Sequence, residues 1–254
     1  MVPLALLVVL AAVVGLLLGL MGGGGSILTV PLLTLTAGMD PQEAIAGSLV
    51  MVGASSLVAA LVHATRGAVA WRTGLTFGAA SMVGALAGGF VGRDLPGPVL
   101  MVGFAVIMLI SAVKMIRPRR KGAGHDDAAP VPLGRVLLQG VGVGLITGVV
   151  GAGGGFLIVP ALVLLARLPM PVAVGTSLLV IAMNSAMGLV SQLGATALDW
   201  AVLGPMAAAA AAAGVVGVVL AHRVPAAALK RGFGWFVLAM GVLILAQQAL
   251  ELLP

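Results

Sequence analysis

The sequence predicts an all-α integral membrane protein built from two inverted-topology repeats of about five segments each, with one short glycine-broken helix in each repeat. The first observation is composition. The 254 residues are 61% hydrophobic and only 8% charged, where soluble chains carry about 25% charged residues. The second is that apolar runs of about 20 residues, enough to span a bilayer, recur along nearly the whole chain. The third is internal repetition. Adding 129 to a residue number carries Trp71 to Trp200, Pro31 to Pro160, Ser48 to Ser177, Pro96 to Pro225 and Gly103-Phe104 to Gly232-Phe233, without a gap.

The first apolar run covers residues 3–21 and suffices for one span. Gly22-Gly23-Gly24-Gly25 follows, with no charge and no Asn or Asp beside it. Each glycine costs a helix about 1 kcal/mol relative to alanine, so four together break it. The next apolar run, 26–37, is too short to cross about 30 Å at 1.5 Å per residue. Gly38-Met39-Asp40-Pro41-Gln42-Glu43 reads as a polar turn. Spans are expected at 44–62, 73–91 and 98–116, with a short basic connection from His63 to Arg72 and a turn at Arg93-Asp94-Leu95-Pro96. Arg117-Pro118-Arg119-Arg120-Lys121 opens a flexible hydrophilic linker. The pattern then starts again: 136–150, a second glycine break at Gly151-Ala152-Gly153-Gly154-Gly155, a short run at 156–166, and spans at 172–190, 201–220 and 226–249. The expected division is a first transmembrane repeat over 1–116, a basic linker over 117–132 and a second repeat over 133–254.

The basic residues set the orientation, because Lys and Arg favour the cytoplasmic side. If each repeat makes five passes, twelve of the thirteen Lys and Arg residues fall on or near one side and only Arg93 falls on the other. If each makes four, Arg93, Arg167, Arg223, Lys230 and Arg231 all change sides. The five-pass arrangement therefore wins, and an odd number of passes inverts the second repeat. The linker is then cytoplasmic and both termini are extracytoplasmic. Met1-Val2-Pro3-Leu4 has no basic stretch, so a cleaved signal peptide is not expected. The formal charge of +6 comes from residues between spans, so no nucleic-acid partner is expected. With no cysteine there is no disulfide, thiolate metal site or cysteine nucleophile.

Two features point to a binding site. Glycine-interrupted segments at matching places in two halves mark the binding region of many transporters. The short helices after Gly25 and Gly155 would present free N–H groups and a partial positive charge to an anion. Gly24, Gly25, Ser26, Gly153, Gly154 and Gly155 are the candidates there; the plainer alternative is close helix packing. Pro31 and Pro160 are expected near the start of these helices, where a missing N–H matters least. The second feature is a polar stripe. Ser48, Ser55, Ser56 and His63 fall within an arc of about 100° at helical spacing. Their counterparts are Ser177, Asn184, Ser185 and Gln192, with Thr176 beside Ser177. Ser48, Ser55, Thr176, Ser177 and Asn184 are candidate donors to an oxyanion; interhelical hydrogen bonding is the alternative. His63 is a candidate proton relay or an interfacial residue, and Trp71 and Trp200 read as interfacial anchors. No Asp or Glu falls near the middle of a predicted span, which argues against a cation pathway. No catalytic constellation, metal site or cofactor motif appears, so an enzyme is not expected.

Gly19-Leu20-Met21-Gly22-Gly23-Gly24-Gly25-Ser26 running to Pro31, Gly148-Val149-Val150-Gly151-Ala152-Gly153-Gly154-Gly155 running to Pro160, and Ala173-Val174-Gly175-Thr176-Ser177-Leu178 resemble the TauE/SafE family of sulfite and organosulfur anion exporters. The resemblance covers both repeats. It implies a bacterial-type inner-membrane permease that moves small sulfur-containing anions, usually outward. The first half departs from the family's Thr-Ser element, with Gly47-Ser48 in its place. The expected partners are therefore a small inorganic or organosulfur anion and the lipid bilayer. The alternatives are a membrane-embedded structural or assembly subunit without its own substrate path, and a cation or metal permease.

Overall fold

The computed structural model describes residues 3–92, 97–117, 132–150, 155–192 and 198–251. Among the described residues all regular structure is helical, in the order α1 (Leu4–Met21), α2 (Ser26–Thr36), α3 (Pro41–Thr65), α4 (Trp71–Gly92), α5 (Gly97–Ile116), α6 (Leu133–Val150), α7 (Gly155–Leu164), α8 (Met170–Gln192), α9 (Trp200–Arg223) and α10 (Ala226–Glu251). Each helix of the second half begins 129 residues after its counterpart, as Ser26 with Gly155 and Pro41 with Met170. We call residues related by this offset repeat mates. Most of the linker, 118–131, lies outside the described residues, as do Gly153 and Gly154.

The protein is an all-α, multi-pass membrane protein. Five of the described helices are long and apolar enough to cross a bilayer: Leu4–Met21, Gln42–Thr65, Met170–Val190, Trp200–Arg223 and Ala226–Gln247. The helices turn apolar side chains outward, with Leu138, Phe90 and Val83 largely exposed, as a lipid-facing surface requires. By contrast, α2 and α7 have 11 and 10 residues and reach only about 15 Å, half the hydrocarbon thickness.

Two details depart from expectation. The polar turn is shorter than predicted, because α3 starts at Pro41. Proline's fixed φ and missing N–H suit a first helical position, and Glu43 in the first turn complements the helix dipole. Pro160 lies inside α7, at its sixth residue, not in its first turn; Pro31 holds the same place in α2.

Packing between the halves uses small residues. α4 runs parallel to α6, with Gly144 against Ser81 and Gly148 against Ala85. α1 runs parallel to α9, with Gly15 against Ala210 and Gly19 against Gly214. These are the same contacts with the halves exchanged, since Gly15 is the repeat mate of Gly144 and Ala210 that of Ser81. Repeat mates that pack on each other run antiparallel. Along α3 and α8, Leu49 meets Gly188, Gly53 meets Ser185 and His63 meets Gly175. Along α5 and α10, Met108 meets Gly241 and Ile116 meets Gly234. Glycine and alanine at these points let the backbones approach closely, which supplies dispersion contacts where lipid removes the hydrophobic drive.

The two short helices are followed by turns that also match. Gly38 takes φ +67°, a left-handed conformation open to glycine at little cost. Its repeat mate Arg167 takes φ +57°. A side chain there costs about 1–2 kcal/mol, yet the second half keeps an arginine.

Candidate functional site

The amino ends of α2 and α7 meet near the centre of the bundle. α1 stops at Gly22, whose φ of +82° turns the chain back. Gly23 then lies so close to α7 that a Cβ on it would overlap the Gly155 carbonyl oxygen and sit 2.5 Å from Phe156 Cα. A Cβ on Gly155 would sit 2.9 Å from Ser26 Oγ. Gly24 packs toward Phe236 and Gly25 toward Val14 and Leu18, so Ser26 is the first side chain able to leave this junction. The amides are not all free, as the sequence had led us to expect. Ser26 N–H donates to Gly23 O at 3.3 Å and Leu28 N–H to Gly25 O at 3.2 Å. The Ser26 hydroxyl also donates to Gly23 O, at 2.7 Å. Glycine's freedom permits these tight i→i−3 bonds, which replace part of the donor set.

Ser26 and Gly155 face a cavity of about 370 Å³. α3 adds Ser48, α6 adds Thr147, and α8 adds Asn184 and Ser185. Val52, Ile158 and Ile181 form an apolar wall, and among the described residues no lining residue is charged. Asn184 is the best-placed donor. Ser81 Oγ on α4 donates to Gly78 O at 2.8 Å and approaches Asn184 Oδ1 at 3.2 Å. That contact braces the Asn184 amide, whose NH2 group carries two donors, in the cavity wall. Ser48 Oγ donates to Ile45 O within its own helix, at 2.7 Å. A rotation about χ1 would release that proton to a ligand.

The remaining candidates lie off this cavity's lining. Ser55 is fully buried and donates to Met51 O at 2.8 Å. Ser177 is buried against Gly22 and donates to Val174 O at 2.7 Å. Thr176 Oγ1 accepts from Ala70 N–H at 2.9 Å, tying the α3–α4 turn to α8. His63 is buried, and its ring lies 5.1 Å from that of His222 near the end of α9. Neither ring nitrogen of His63 has a hydrogen-bond partner among the described residues, nor does the buried Ser56 hydroxyl. His222, Thr147 and Ser81 were missed by sequence reasoning. Their repeat mates are Arg93, Leu18 and Ala210, so the search for matched polar pairs passes over them.

The cavity is one-sided. Leu49, Thr147, Asn184 and Gly188 line it and are partly exposed. Their repeat mates Leu178, Leu18, Ser55 and Ala59 are each 0% exposed. The same set of helices is therefore open at one end and closed at the repeat-related end. Thr176, His63 and His222 all sit on the closed side.

This arrangement, polar groups gathered where two half-length helices meet inside an apolar bundle, is that of a membrane transporter. The sulfite exporter TauE/SafE family model matches residues 7–244. The chain belongs to the TauE/SafE family. This TauE/SafE transporter is 34% identical over 242 residues to a probable membrane transporter protein of Xylella fastidiosa (strain 9a5c), covering 91% of both chains. It is 30% identical to the probable membrane transporter protein YunE of Bacillus subtilis (strain 168), over 77% of this chain and 80% of that one. A probable membrane transporter protein of Methanocaldococcus jannaschii is also 30% identical, over 75% and 72% of the two chains. No solved structure matches this TauE/SafE chain.

Proposed function

We propose that this transporter carries a small sulfur-containing oxyanion, of the sulfite or organosulfonate type, by alternating access and without a chemical step. The observation that carries the reading is the polar cavity at the junction of α2 and α7, uncharged among the described residues, with Asn184 in its lining. Oriented amides, hydroxyls and helix amino ends favour an oxyanion. With no lysine or arginine in the lining the grip is moderate, which suits a site that must also release its ligand. Gly153 and Gly154 would add donors from the stretch before α7.

The proposed frame is a bacterial inner membrane, with 1–116 and 133–254 as oppositely oriented repeats and the 117–132 linker cytoplasmic. The antiparallel course of α3 along α8 and of α5 along α10 supports inversion. In that frame the cavity opens to the extracytoplasmic side. Exchange of conformation between the halves would open the cytoplasmic side, where Ser55, Thr176 and Ser177 would meet the ligand. Closure there leaves the buried Ser56 hydroxyl without a partner among the described residues, which costs about 1–3 kcal/mol. Hydration on opening would offset that, so the closed state is not held too firmly to turn over. His63 beside His222 is placed to pass protons during this exchange.

Two experiments test this reading. In proteoliposomes, Asn184→Ala is expected to lower labelled-sulfite transport about tenfold or more, the value of a hydrogen bond to a charged ligand. Parental rates in Asn184→Ala would remove the cavity from the path. The chain has no cysteine, so single cysteines report without background. Ser48→Cys should react with an impermeant maleimide about tenfold or more faster than Ser177→Cys, and from the side opposite the linker, if the open state dominates. Equal rates at both positions would refute one-sided opening.

A further inference from the structure

Away from the central cavity, a second hollow of about 750 Å³ opens where the end of α5, the α7–α8 turn and the start of α10 meet. Lys114, Arg117, Arg167 and Lys230 line it, and among the described residues no acidic one does. The rest of its wall is apolar, including Val163, Leu164, Leu168 and Met170. It lies at the ends of membrane-crossing helices, since candidate spans begin at Met170 and Ala226.

A cluster of cations at one end of a membrane protein can reflect insertion topology alone. One feature goes beyond that. Arg167 occupies the left-handed backbone position that its repeat mate Gly38 fills with glycine. Insertion topology needs a cation somewhere in the turn and has no need of one on that residue. Arg167 is held at this spot against the preference of its own backbone, and it lines the hollow.

We propose that this hollow binds an anionic phospholipid. The headgroup phosphate would lie among Lys114, Arg117, Arg167 and Lys230, and the first acyl carbons would run along Leu164, Leu168 and Met170. Cations beside an apolar wall at the level of helix ends match both parts of such a ligand; a free phosphate would use only the first. The bound lipid would join α5 and α10 to the α7–α8 turn.

The test uses the full chain in nanodiscs of phosphatidylcholine, with and without phosphatidylglycerol, and with inorganic phosphate as a separate addition. Phosphatidylglycerol is expected to raise the thermal midpoint by several degrees and inorganic phosphate to leave it unchanged. Arg167→Gly restores the residue that the backbone prefers, so it should keep the parental midpoint in phosphatidylcholine. Its affinity for phosphatidylglycerol, read by native mass spectrometry, should fall about fivefold, as should that of Lys230→Gln. The proposal is overturned if phosphatidylglycerol stabilises no more than phosphatidylcholine, if both variants respond to it as the parent does, or if inorganic phosphate reproduces the full shift.

Discussion

Replacing Gly23 by alanine is expected to abolish transport and to lower the thermal midpoint by about 5–10 °C. The added methyl would overlap the Gly155 carbonyl oxygen and lie 2.5 Å from Phe156 Cα. Both are backbone atoms, so no side-chain rotation relieves the clash. The amino ends of α2 and α7 must separate, and their separation spreads Ser26 from Gly155 at the cavity's base. Gly24→Ala is the matched control. Its Cβ would meet the Phe236 ring at 3.1 Å, a side chain that can give way, and Met21 Cβ at an ordinary 3.7 Å. Transport in Gly23→Ala at the Gly24→Ala level, measured with equal protein in the membrane, would show that the meeting of the short helices is irrelevant to the path.

A second large effect separates two glycines two residues apart, on opposite faces of α6. Gly144→Ala would place a methyl against the Ser81 backbone, overlapping its carbonyl oxygen and 2.8 Å from its Cα. The α4–α6 pair must open, at about 1–3 kcal/mol by the usual scale of overpacking. Asn184 would then lose its Ser81 contact, so transport falls together with stability. Gly142→Ala meets nothing within 4 Å. It should gain about 0.5–1 kcal/mol from helix propensity, seen as a small rise in the thermal midpoint. If the two variants unfold alike, close backbone approach is not what holds α4 to α6. The same contrast should recur through Gly19, which abuts Gly214 in the exchanged pair.

These effects explain why some of the site was legible in the chain and some was not. The glycine breaks, the half-length helices and the polar stripe are periodic features of a single strand of sequence. A run of glycines inside an apolar segment has few physical outcomes in a bilayer, and the 129-residue offset doubled every signal. Helix starts followed at the same offset in all five segments. Asn184 and Ser48 were found because polar side chains recur at helical spacing in both halves. His222, Thr147 and Ser81 escaped because each has an unlike repeat mate, and only contact in space gives them a role.

What the sequence determined by itself is therefore the solvent, the segment count and the repeat, because burial in lipid constrains composition, length and backbone continuity locally. The tertiary structure alone decided which polar groups share a cavity. Ser48 and Ser177 are equivalent in sequence, yet one lines an open cavity and the other is packed against Gly22. No local pattern can distinguish them. The difference lies in how two like halves lean on each other, which is a property of long-range packing.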